Sequence, residues 1–198
     1  GVTVKPIRLI SGSSPFCETF LDNATAEKDD LIGELDQGWT VGKRLLQFER
    51  SGIGGLSGGA RRAQPGAGLA KLAKEAVGES GNAIADTAVR KDVTVMNMNR
   101  NAFQLTAQRA NEENKSGIPG AATSIFKLYG AALQQDGANL RRELLGFKGL
   151  GAHDTNGFDQ SDLAATEEWL HTRTTTIYGG SNEIQANIIA KRVLGLPD

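Results

Sequence analysis

The run Ile-Tyr-Gly-Gly-Ser-Asn-Glu-Ile at positions 177–184 is the part of this sequence best suited to chemistry. Gly179 and Gly180 carry no Cβ, so a flat ligand can come close to their backbone. The amides of Ser181, Asn182 and Glu183 fall at the start of what reads as a helix, where N–H groups point outward without intrahelical partners. Such a place suits a phosphate or an electron-rich ring. The plain alternative is a tight turn into a helix capped by Ser181, and short glycine motifs of this kind also arise by chance. Other polar residues say less. His153 falls in a loop and His171 on a helix beside Trp169. With no third ligand in pattern they do not form a metal site, and surface or structural histidines are the commoner fate. Arg100, set in an apolar seam, is of the kind that pairs or snorkels. Met96, Met98 and the tryptophans read as core.

These groups need a scaffold, and 198 residues, 39% of them hydrophobic, suffice for one domain with a real core and a small second piece. The net charge is −1 and no Lys/Arg run exceeds two residues, which gives nucleic acid or an anionic membrane little to hold. Cys17 is the single cysteine, so no disulfide framework exists and a reducing compartment is expected. No apolar stretch approaches membrane-spanning length, and no signal-peptide pattern opens the chain. Gly1 stands within a strand-like stretch, which suggests a processed or truncated piece of a longer protein.

Positions 1–35 read as the end of a β-domain and 36–198 as a helical bundle domain. Val2, Val4, Ile7 and Leu9 are spaced for extended structure, "FCETFLD" is a second strand, and Ser11–Pro15 turn between them. Two or three strands do not make a stable sheet alone. Asp36 is placed to cap a helix through Trp39, Val41, Leu45, Leu46 and Phe48. The glycine-rich 51–68 is either a linker or a continuation of that helix to about residue 62, with a loop at 64–68. The second is preferred, although each glycine weakens a helix by roughly 1 kcal/mol.

From 82 to 114 the pattern is helical. Val89, Val93, Met96, Phe103, Ala107 and Ala110 form one stripe, while Ile84, Ala88, Val95, Met98, Ala102 and Leu105 form another. A stripe that wide predicts two packing neighbours in a bundle. A further helix is predicted at about 120–145, with Ile125, Leu128, Ala132, Leu140 and Leu144 inward. A glycine-rich loop follows at 146–159, then a helix starting at Ser161 or Asp162 and running through Trp169, and then the final one. The expected fold is mostly α, an up-and-down four-helix-bundle type of domain preceded by a β remnant.

The 177–184 run and the ending "IIAKRVLGLP" resemble the C-terminal signature of the acyl-CoA dehydrogenase family. The opening "GVTVKPI…SG…F…FLDN…LIGE…GW…L…FERS" is similar to the end of that family's middle β-domain and the start of its first C-terminal helix. Within 60–145 only the helical rhythm and "SIFKLYGAAL" agree. The resemblance implies FAD as cofactor, an acyl-CoA thioester as substrate and α,β-dehydrogenation as the reaction. It implies an electron-transfer flavoprotein as partner, a homo- or hetero-oligomer built as a dimer of dimers, and no nucleic acid or membrane insertion. It places the protein in a bacterial cytoplasm or, in a eukaryote, the mitochondrial matrix.

In that family a carboxylate removes the α proton while a hydride leaves the β carbon for flavin N5. Many members carry the glutamate directly after the motif's Tyr, where this chain has Gly179. Others carry it on the first C-terminal helix before an Arg, which matches Glu49-Arg50 in "QFERS". The resemblance thus implies Glu49 as base and Arg50 near the CoA moiety. It puts Tyr178, Gly179 and Gly180 beside the thioester, and Ser181, Asn182 and Glu183 beside FAD. From the residues alone, Glu49-Arg50 is an ordinary surface pair.

Two motifs depart from the family's pattern. No Arg-x-x-Phe-Gly occurs in 60–95, with Arg90 the nearest candidate. In "ELLGFKG", Glu143 stands for the usual Gln and Phe147 for a Gly, while Gly146 and Gly149 are kept as cofactor contacts. A non-catalytic partner subunit, contributing only assembly contacts, therefore stands beside the enzyme reading.

Overall fold

The computed structural model describes residues 1–53, 68–113, 123–152 and 157–197; the side chains of 47–53, 111, 113 and 123 fall outside that set. The expected strands pair as an antiparallel hairpin, β1 (Val2–Ile7) with β2 (Phe16–Leu21), in the register Val2 to Leu21 and Ile7 to Phe16. Both are exposed along their length.

Helix α1 runs Gly38–Ile53. Asp36 is not its cap: it takes a left-handed backbone, φ 63°, two residues before the helix. The proposed continuation to residue 62 lies outside the described residues, as does the expected loop except Gly68. Gly68 has φ 80° and opens a helix the periodicity did not predict, α2 (Leu69–Val77). A short hairpin follows, β3 (Glu79–Ser80) with β4 (Ala83–Ile84), and α3 (Thr87–Glu113) begins five residues later than predicted. The cause is local: the Asp86 carboxylate accepts from the Ala88 and Val89 amides at 2.8 and 2.9 Å, an N-cap that fixes the start.

Helix α4 (Thr123–Leu145) packs against every other helix among the described residues. The core holds Leu69 and Ala73 of α2, Ile84 of β4, Val93 and Met96 of α3, and Leu133 of α4, with Val89, Phe103, Leu140 and Leu144 against it. Gly130 lets Phe103 in, since a Cβ there would stand 3.2 Å from its ring. Of the second stripe, Ile84 falls in β4 and is buried, while the members on α3 are not. Met98 is 65% exposed and Val95 and Leu105 also face outward, so the predicted second neighbour is not found among the described residues. Ile125 and Ala132 of α4 are exposed too, while Ala131, Leu133 and Ala138 are buried in their place. Trp39 is not core but 72% exposed.

A 3₁₀ turn at Gly146–Leu150 leads to α5 (Gln160–Thr172). Its cap is Asp159, earlier than expected, and Asp162 closes a capping box with it. A second 3₁₀ turn (Arg173–Thr176) precedes α6 (Asn182–Ile188), which widens into a π turn at Ile189–Val193. The Leu194 amide reaches back five residues to the Ile189 carbonyl at 2.9 Å.

Candidate functional site

Polar side chains of α4 hold the C-terminal third of the chain in place. The Lys127 ammonium donates to the Thr175 carbonyl, and Gln135 Nε2 to the Thr172 carbonyl at 3.0 Å. Trp169 Nε1 donates to Asn139 Oδ1 at 2.7 Å, and Arg142 Nε to the Gly149 carbonyl at 2.8 Å. These positions share one face of the helix, at the three-to-four-residue spacing that aligns side chains. Partial burial pulls the Lys127 ammonium below the ordinary lysine range.

This seam delivers the chain to Tyr178. Its amide is held by the Thr174 carbonyl at 3.1 Å, and its ring lies 5.4 Å from Lys127 Nζ and 6.5 Å from the His171 ring. Gly179 (φ 66°) and Gly180 (φ 92°) then take left-handed conformations that an L side chain rarely adopts. Gln185, 4% exposed, folds back so that its Nε2 donates to the Gly179 and Gly180 carbonyls at 3.2 and 3.4 Å. A Cβ on Gly180 would collide with that nitrogen. Neither Lys127 nor Gln185 stands out in the sequence; each is one of several polar residues on its helix.

Ser181 occupies the N-cap position of α6, but its side chain accepts no cap hydrogen bond. Its hydroxyl bonds the Glu183 carboxylate, and this bond, with a further one from Glu183's own amide, holds that carboxyl below its usual range. A base for a weakly acidic carbon acid needs the opposite shift. Asn182 Oδ1 is buried with no hydrogen-bond partner among the described residues. A buried acceptor left unmatched is costly and calls for a donor.

The other predicted positions divide. Gly146 (φ 57°) has open space before it, which leaves room for a ligand. Gly149 is required by packing as well, because a Cβ there would stand 2.6 Å from the Arg142 carbonyl oxygen. Phe147 stacks on Phe158 with centroids 5.5 Å apart. Beside this turn, Asn139, Arg142, Glu143, Gly146, Leu150 and Trp169 line a groove of about 320 Å³. Arg142 and Arg173 both lie over the Trp169 ring, at 4.2 and 4.8 Å. The Glu49 and Arg50 side chains and all of His153 lie outside the described residues; the backbone of the pair belongs to α1. Among the described residues no group of three His, Cys, Asp or Glu could hold a metal, and no helix is long and apolar enough to cross a membrane.

A family model for the acyl-CoA dehydrogenase C-terminal domain matches residues 36–194. The chain belongs to the acyl-CoA dehydrogenase family. Two curated relatives are named acyl-CoA dehydrogenase IpdE1. That of Mycobacterium tuberculosis is 34% identical over 197 residues, 100% of this chain and 48% of the relative. That of Mycolicibacterium smegmatis is 32% identical over 198 residues, 100% of this chain and 46% of the relative. The chain thus spans about half the length of these relatives. Among solved structures, the ChsE4–ChsE5 complex from M. tuberculosis superposes with a TM-score of 0.78 at 21% identity, covering 100% of this chain and 51% of the matched one. That likeness shows a shared fold.

Proposed function

We propose that this chain is the C-terminal portion of an FAD-dependent acyl-CoA dehydrogenase, with residues 1–35 closing a β-domain and 36–198 forming the bundle. The observation that carries the reading is the approach to α6: two left-handed glycines followed by the unmatched buried acceptor Asn182 Oδ1. A backbone thinned by two glycines, beside an acceptor in need of a donor, fits the hydrogen-bonding edge of a planar ring. In this reading Ser181, Asn182 and Glu183 border the cofactor, with Gly146 and Gly149 contributing from the turn after α4. Tyr178, Gly179 and Gly180 wall the thioester, and Arg50 lies toward the CoA moiety.

Glu49 takes the α proton as the β carbon gives up a hydride, leaving a double bond between the two. FAD, when bound, supplies the hydride acceptor. Gly179 brings no carboxylate to the thioester, which leaves the proton to Glu49. Tyr178 and the glycine backbone orient the thioester and exclude water from it. An electron-transfer flavoprotein is the proposed oxidant that returns the enzyme to its starting state, and the cytoplasm the proposed location. Oligomeric assembly is supported by the exposed apolar stripe of α3, since contiguous apolar faces mark interaction sites.

Glu49→Gln in the full-length protein should leave flavin bound while acyl-CoA no longer bleaches its visible band. Bleaching at the wild-type rate would exclude Glu49 as base. The alternative, a non-catalytic partner subunit, is favoured by Phe147 stacked on Phe158 where the family's pattern has a glycine. An intact protein that binds no flavin yet associates with a sibling subunit would select it.

A further inference from the structure

We infer that Lys127 and Gln185 are positioning residues that brace the Tyr178–Gly180 turn from its two sides. The turn cannot hold itself. Its backbone bonds stop at the Ile177 and Tyr178 amides, both on the Thr174 carbonyl at 2.9 and 3.1 Å. Two consecutive glycines follow, the residues with the most conformational freedom to lose. Their carbonyls are engaged by one buried amide, Gln185 Nε2, which fits there because Gly180 has no Cβ. On the upstream side Lys127 crosses 48 positions of sequence to the Thr175 carbonyl, and its ammonium lies over the Tyr178 ring. The amide fixes the glycine carbonyls and the ammonium fixes the aromatic ring, so the turn has one geometry before any ligand arrives.

The two braces are anchored differently. Gln185 belongs to α6, the element the turn introduces, whereas Lys127 belongs to α4, which packs on every other helix among the described residues. Lys127 therefore ties the turn to the body of the bundle, and Gln185 ties it to the helix that follows. Loss of either should loosen the turn without unfolding the core, since neither residue is part of the apolar cluster.

Amide hydrogen exchange over 177–181 in the intact protein tests this without reference to chemistry. Lys127→Met and Gln185→Met should each speed exchange at Ile177 and Tyr178, the amides the turn holds on the Thr174 carbonyl, and Lys127→Arg should recover most of the protection. Gln185→Asn, one methylene short, keeps the amide and loses its reach, so it should also speed exchange; it carries the test should the methionine variant fail to fold. Wild-type exchange in folded Lys127→Met and Gln185→Asn proteins would overturn the proposal. A kinetic arm rests on the proposed dehydrogenation. There kcat/KM should fall on the order of 10- to 100-fold, as for a slightly misplaced pocket wall, with flavin content unchanged. If the wild-type protein does not respond to acyl-CoA at all, the functional reading fails while the exchange arm still decides the brace.

Discussion

At the residue scale, Ser181 shows how one hydroxyl can be diverted from a capping role. Its side chain accepts nothing from the helix, and its hydrogen bond to Glu183 lowers the pKa of that exposed carboxyl. The sign of the pH effect follows. The folded pKa lies below the unfolded one, so the contribution to stability is present above the unfolded value and lost as pH falls through the folded value. In an NMR titration, Ser181→Ala should move the Glu183 carboxyl up toward the ordinary glutamate range; no movement would show that other groups set it. The residues of this segment were legible as a set because glycines and an Ser-Asn-Glu step stand out in sequence. Gln185 and Lys127 were not, because their partners are carbonyls brought near only by the fold, and a carbonyl leaves no mark in the sequence.

At the element scale, helices with long apolar stripes were legible and short ones were not. The core stripe of α3 is buried at Val93, Met96 and Ala107, as its periodicity predicts. Helix α2, with only nine residues and a glycine-rich stretch before it, leaves no clear periodicity, yet it supplies the most deeply buried part of the core. Leu69 is 2% exposed and Ala73 fully buried. Leu69→Ala should therefore cost about 2–5 kcal/mol, the range for emptying a well-packed leucine site, measured as a shift in the urea midpoint. A change well under that would mean α2 is not anchored to α3 and α4 as described. Boundaries were misplaced for a related reason: Asp86 and Asp159 set two helix starts through carboxylate-to-amide bonds that apolar periodicity does not register.

At the scale of the whole molecule, the second stripe of α3 explains what sequence patterning could and could not say. Val95, Met98 and Leu105 form an apolar face in the sequence, but a pattern does not reveal whether the neighbour belongs to the same chain. In the proposed oligomer this face meets another surface. Met98→Lys should then leave helical content unchanged and lower the sedimentation coefficient of the intact protein, because a charged head in an apolar contact goes uncompensated. Sedimentation identical to wild type would remove Met98 from any contact.

The π turn at Ile189–Val193 makes the end of α6 a matter of phase. A plain helix advances about 100° per residue, so one additional residue in a turn rotates everything beyond it by that angle. Ile184 and Ile188 stand before the wide turn, and the Leu194–Pro197 tail stands after it, past Gly195 at φ 65°. The two stretches are thus aimed independently, and a one-residue deletion inside the turn would change the tail's direction far more than its reach.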